Sequence, residues 1–229
     1  MKHSENHRIS RIGFLRAAVL GANDGIISTS SLIIGVCSSG AEQNQILTVA
    51  IAGLVAGALS MAAGEYVSVS SQSDTEKADI EREKKELYEE PEHELQELTG
   101  IYIKRGLQPD LAKQVAIQLT KHDALDTHIR DELGILEVHK ANPLTASFAS
   151  ALTFAIGALL PVLVVYFSPL SKLIFLESLF TLIFLFVMGG VAAKSGGAPF
   201  IRGALRVVFW GAIAMGFTSL VGKLFNVTV

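Results

Sequence analysis

The sequence predicts an all-α membrane protein: five transmembrane helices, with a charged three-helix domain inserted between the second and third spans. Three observations carry this expectation. Hydrophobic residues make up 50% of the 229 residues. Apolar runs long enough to cross a hydrocarbon core of about 30 Å, which takes roughly 20 helical residues, recur along the chain. Charge, finally, crowds into one block: residues 74–140 hold 17 of the 22 acidic and 10 of the 19 basic side chains, a net of −7, and the other 162 residues carry 9 basic against 5 acidic, a net of +4.

The five spans are expected near residues 12–37, 46–71, 146–167, 170–193 and 204–225. They divide the chain into residues 1–73 with the first two spans, the inserted block 74–140, and residues 141–229 with the last three. The second and fourth spans read most clearly. The first is the most polar, with Arg16, Asn23 and Asp24 inside it, and its length and polar centre argue against a cleavable signal peptide. Lys2, Arg8, Arg11 and Arg16 precede the first span, and Lys194, Arg202 and Arg206 surround the loop between the fourth and fifth. The loop "SSGAEQNQ" and the turn near Ser168–Ser171 carry no Lys or Arg. By the positive-inside rule the N-terminus and residues 74–140 are then cytoplasmic and the C-terminus outside, in a multi-pass protein expected in a bacterial inner membrane.

Within the charged block, "DTEKADIEREKKELYEEPEHELQELTGIYIKRG" shows no strand alternation, Pro91 suits a first turn or a kink, and Gly106 suits a stop. No breaker separates Val69 from Lys85, so the second span is expected to run straight into this helix. A second helix follows in "QPDLAKQVAIQLTKHD", with Leu111, Val115 and Leu119 spaced four apart, and a third in "ALDTHIRDELGI", with Gly134 as its C-cap. "HKANPL" leads into the third span.

Composition closes several functional classes. No Lys/Arg cluster stands clear of neighbouring acids, so no nucleic-acid surface is expected. The single cysteine, Cys37, excludes a disulfide framework or a thiolate metal site within one chain. Acids inside spans are the informative residues, because an Asp at mid-membrane costs about 2.5 to 3.5 kcal/mol on translocation scales and faces a partner or a water-filled path. Asp24, in "GANDGIIS", and Glu65, in "SMAAGEYVSVSS", are such residues, and a place near a helix end with a bond to a hydroxyl or an Arg is the alternative for each. Met61 precedes Glu65 by four positions, which places a thioether and a carboxylate on one helix face; packing alone also explains a lone Met. Glycines along both spans suit close packing or dimerisation.

In the block, Glu83 and Glu86 are three apart, as are Glu94 and Glu97, and on one continuous helix all four would return to nearly the same azimuth. A solvated charged face gives the same pattern. His128 and Glu132 share a face at i, i+4, and His93 follows Glu90 in the E-x-x-H spacing of di-iron bundles, of which only one copy is present. His122 and His139 read as surface residues. Carboxylates with one imidazole and no thiolate suit Fe²⁺, Mn²⁺ or, less well, Zn²⁺.

Taken in order, "GANDGIIS", "SMAAGEYVSVSSQ", the Glu83/Glu86/Glu94/Glu97 spacing and "HDALDTHIRDELGI" resemble the vacuolar iron transporter family over nearly the whole chain. The resemblance implies a homodimer of five-helix subunits whose first spans line a shared path, and a cytoplasmic three-helix metal-binding domain that collects the ion. It implies export of Fe²⁺, often also Mn²⁺, from the cytosol in exchange for protons, with no organic cofactor and no enzymatic chemistry. Asp24 and Met61 would be the path ligands with Glu65 nearby, and Glu83, Glu86, Glu94, Glu97 and Glu132 the ligands of the domain. His128 stands where better-known eukaryotic members have a methionine, a harder donor that leaves the Fe²⁺ over Mn²⁺ preference open. The rival expectations are a membrane-anchored ferroxidase and a metal-sensing scaffold that binds without flux.

Overall fold

A computed structural model describes residues 9–135 and 142–225, with side chains from residue 19 onward. Lys2, Arg8 and residues 139–141 of the "HKANPL" link, His139 included, lie outside the described residues, as do the side chains of Arg11 and Arg16. The described residues are helical and contain no strand. The elements are α1 (Ile9–Ser38), α2 (Gln43–Glu89), α3 (Pro91–Lys104), α4 (Pro109–Asp131), α5 (Pro143–Phe167), a 3-10 turn (Leu170–Lys172), α6 (Leu173–Ser195) and α7 (Phe200–Leu224). Among the described residues five helices are long and apolar enough to cross a membrane, including the Val19–Ser38 stretch of α1.

The chain forms two compact units, Met1–Tyr66 with Pro143–Val229, and Val67–Asn142. In the first, α1 packs against α5, α6 and α7. Gly25 and Gly157 make the α1–α5 crossing possible: a Cβ on Gly25 would overlap the Phe154 carbonyl oxygen, and one on Gly157 the Ala22 carbonyl oxygen. Beyond this crossing Ile33, Ile46, Ala50, Val162, Val165 and Leu173 form a core. The Gln43 amide donates to the Val165 and Ser168 carbonyls at 3.0 and 2.9 Å, satisfying acceptors that the end of α5 leaves open. Large apolar side chains such as Phe148, Phe175, Phe209, Trp210 and Phe217 are exposed on the outside, as a lipid-facing surface requires.

Helix α2 has 47 residues, about 70 Å at 1.5 Å per residue, more than twice a hydrocarbon core. Only its first part can lie in the membrane, and from Val67 onward it belongs to the second unit. There α3 packs on α4 around Leu98, Tyr102, Ala112 and Ala116. Leu111, expected on this apolar face, is instead 48% exposed. The small side chains of Ala112 and Ala116 are fully buried in this cluster, and Val115 and Leu119 pack against it.

Of the two roles expected for Pro91, a first turn or a kink, the structure takes the first turn, so the continuous helix that a four-glutamate stripe requires does not form. Glu90 leaves helical geometry at φ −132 and ψ 52, and Pro91 opens α3, where its missing N–H costs nothing. Gly106, at φ +100, ends α3: its N–H donates to Ile103 and that of Leu107 to Tyr102, a Schellman closure. Gly134 also takes a positive φ, of 67, just after α4.

Candidate metal sites

The second unit gathers four of the residues singled out above. Glu83 comes from α2, Glu94 from α3, His128 from the last turn of α4, and Glu132 from the residue after it; one ligand atom of each lies within 4.8 Å of all the others. Two local features aim them. Pro91 starts α3 in a new direction, so Glu94 meets Glu83 from a second helix rather than from further along the same one. In α4, Asp123 is extended at φ −161 and ψ 100, and its carboxylate accepts the Asp126 N–H at 2.9 Å, capping the following segment that carries His128.

His128 is fully buried, and Glu83 and Glu94 are nearly so. His128 Nδ1 lies 2.8 Å from Glu132, 2.9 Å from Glu83 and 3.7 Å from Glu94. Of these contacts the one between Nδ1 and Glu132 Oε2 has hydrogen-bond geometry, and one ring nitrogen carries at most one proton. Glu83 Oε1 is therefore close to the ring yet without a hydrogen bond, and His128 Nε2 is buried without a partner. Burial first, then the carboxylates of Glu132, Glu94 and Glu86, push Glu83 from 4.5 up to about 7, against the opposing pull of His128. Three converging carboxylates, one imidazole and orphaned acceptors form a donor set that a divalent cation would satisfy and a proton does only in part.

The other expected residues fall differently. Glu97 joins His93 and Glu94 in a second group with ligand atoms within 4.8 Å of one another. His93 thus lies beside carboxylates, 3.5 Å from Glu94, through i, i+1 and i, i+4 neighbours that the E-x-x-H spacing does not describe. Glu86 is exposed and belongs to neither group. Supporting the cluster from behind, Tyr102 donates to Asp131 at 2.6 Å and Arg105 to the same carboxylate at 2.7 Å. Burial would raise the Asp131 carboxyl, and these two donors outweigh it and hold it below its ordinary value.

In the membrane unit, a cleft of about 220 Å³ is lined by Asp24, Ser28 and Thr29 of α1, Gly57, Ser60 and Met61 of α2, and Phe154 of α5 among others. Gly57 is needed here, since a Cβ would overlap the Phe154 ring. Asp24 is exposed on the single chain, and the Thr29 hydroxyl is buried without a hydrogen-bond partner. Glu65 is half-buried and does not line the cleft. Sequence reasoning passed over one acid altogether: Glu177, in "LIFLESLFT" of α6, is fully buried. A lone carboxylate in the fourth apolar span was the available signal.

Five helices of membrane-spanning length, an acid- and thioether-lined cleft and a buried carboxylate–imidazole cluster define a polytopic membrane protein with donor sets of divalent-cation type. The chain belongs to the VIT family, whose sequence profile matches residues 15–223. It is 44% identical over 223 residues to a vacuolar iron transporter of Acanthamoeba castellanii, covering 96% of this chain and 82% of that protein. It is 33% identical over 217 residues to vacuolar iron transporter homolog 2 of Arabidopsis thaliana, covering 93% and 86%. To vacuolar iron transporter 1 of Tulipa gesneriana the identity is 28% over 216 residues, covering 93% and 87%. These relatives are eukaryotic and vacuolar by name, so the expected bacterial inner membrane is not supported. The expectation failed because flanking Lys and Arg report which face of a membrane meets the cytosol and say nothing of which membrane it is.

Proposed function

We propose that this protein moves Fe²⁺ or Mn²⁺ out of the cytosol in exchange for protons. Supporting this are the relatives named as iron transporters and, above all, one geometric observation: Asp24 and Met61, from different helices, line a single cleft in the membrane unit. A bare divalent ion in hydrocarbon faces a desolvation cost of tens of kcal/mol, so passage needs donors at depth. Asp24 supplies charge, Ser28 and Ser60 supply hydroxyls, and the Met61 thioether favours a transition metal over Mg²⁺ or Ca²⁺.

In this reading Glu83, Glu94, His128 and Glu132, with Glu97 and Glu86 nearby, take the ion from the cytosol. The domain of residues 74–140 lies on that side. An empty cluster repels itself, so ion and proton compete for the same carboxylates, and loading releases protons. The protein acts as a homodimer: on a single chain Asp24 is exposed, and a second copy across the cleft would shield it from lipid and double the donors along a shared path.

The test is uptake of Mn²⁺, and of Fe²⁺ under reducing conditions, into liposomes holding the purified full chain under an imposed pH gradient. Asp24→Ala abolishes uptake and preserves metal-induced thermal stabilisation through the Glu83 cluster. Fe²⁺ oxidation that survives Asp24→Ala without flux would make the protein an anchored ferroxidase, and binding without flux or turnover would make it a scaffold. Either result overturns the proposal.

A further inference from the structure

Among the described residues Glu177 is the one fully buried acid in the membrane unit, and the proposed ion path does not use it. Its Oε1 accepts from the Thr181 hydroxyl at 3.4 Å, and Thr181 in turn lies 2.7 Å from the Ser30 hydroxyl of α1. Its Oε2 is buried with no hydrogen-bond partner. Helices α1, α5 and α7 and the 3-10 turn pack against α6. They bring Asp24, Cys37, Tyr166, Lys172, Arg202, Arg206 and Lys223 as titratable groups, and α6 itself carries Lys194. None of these is hydrogen-bonded or ion-paired to Glu177 among the described residues.

We infer that Glu177 is the proton-binding residue of the exchanger, built on α1 and α6 apart from the metal cleft. This rests on the exchange proposed above. The chemistry of the site selects the ligand: one carboxyl and two hydroxyls cannot complete the shell of a divalent ion, whereas an ionised carboxylate accepts only and here has just the Thr181 and Ser30 hydroxyls as donors, with Oε2 left without a partner. A proton on the unpartnered oxygen removes the buried charge with no further ligand.

Position supplies the link to transport. Ser28 and Thr29 line the metal cleft, and Ser30, turned about 100° further round the same helix, faces Thr181. Two ligand faces therefore share consecutive residues of α1. Ser30 lies six residues from Asp24, about 9 Å along the axis toward the C-terminal end of α1. In the orientation of the exchange, that end is remote from the cytosol and is where protons enter. Only the carboxyl O–H bond forms and breaks: the proton arrives from water at that end, passes by the Ser30 and Thr181 hydroxyls, and is returned to water one for one.

The experiment compares wild type and Glu177→Gln, full chain in liposomes, with Mn²⁺ and internal pH recorded together. It adds infrared difference spectra of the purified proteins with and without Mn²⁺. Glu177→Gln is expected to keep Mn²⁺-induced thermal stabilisation and to lose proton counter-movement and the carboxylic-acid carbonyl band that wild type shows. Should Glu177→Gln fail to yield folded protein, Thr181→Val and Ser30→Ala keep the acid and remove its relay; they are expected to shift the pH dependence of Mn²⁺ uptake and to move the carbonyl band. An unchanged proton-to-Mn²⁺ ratio or an unchanged band in these variants overturns the inference. If wild type moves no Mn²⁺, the transport reading falls on its own, and the infrared band still decides whether Glu177 holds a proton.

Discussion

Replacing Glu83 by Gln separates the cost of the empty cluster from its use. Glu83 sits at about 7 in the folded chain against 4.5 for a free carboxyl. A folded value above the unfolded one means that its contribution to stability is fully present below 4.5 and is lost as pH rises through about 7. At about 1.4 kcal/mol per pH unit the gap corresponds to at most about 3.5 kcal/mol. A unit of this size shifts its melting point by roughly 4–8 °C per kcal/mol, so the effect is on the order of 10 °C. Melting of the metal-free full chain at pH 5 and pH 8 is the assay, repeated with Mn²⁺. Wild type without metal should lose stability between the two pH values. Glu83→Gln, neutral throughout, should melt higher than wild type at pH 8 and gain less from Mn²⁺, since one anionic donor has gone. The reasoning is refuted if metal-free wild type melts alike at both pH values, or if Glu83→Gln melts lower at pH 8 while keeping the whole Mn²⁺ gain.

Substitutions at three further positions probe the scaffold. Tyr102→Phe removes a 2.6 Å bond to Asp131 and should cost about 1.5 to 3 kcal/mol at pH 7. Because the folded Asp131 carboxyl lies below its ordinary 3.8, that contribution is present above 3.8 and lost as pH falls, so melting differences at pH 7 should shrink near pH 3. Asp123→Ala deletes the cap on the segment bearing His128 and should cost about 1 kcal/mol and weaken Mn²⁺ binding in calorimetry, whereas Asp123→Asn should do neither. Gly25→Ala forces α1 away from α5 and should cost about 1 to 3 kcal/mol in melting of the detergent-solubilised chain, where a neutral result would contradict the close crossing.

Much of this architecture is legible one residue at a time. Spans announce themselves because lipid demands uninterrupted apolar length, and the run of α2 past Val69 follows from the absence of any breaker. Gly106 and Gly134 marked helix ends because only glycine takes a positive φ without strain. Asp24 and Glu65 stood out because an acid within a span is costly, although Glu177, the acid that the structure buries fully, was passed over. What spacing did not reveal is direction. Glu83, Glu86, Glu94 and Glu97 read as one stripe only while Pro91 is assumed to continue the helix; once it restarts, Glu94 turns onto Glu83 and Glu86 is left exposed.

The sequence by itself determined which segments enter a membrane, which residue types are available for chemistry, and the family to which the chain belongs, since these depend on local composition and order. Tertiary structure alone decided which donors meet: Asp24 with Met61 across two helices, His128 with three glutamates through the Asp123 kink, and Glu177 with Ser30. The reason is that a side chain's neighbours across an interface are set by where helices break and how closely their backbones approach. Periodicity within one helix carries neither quantity.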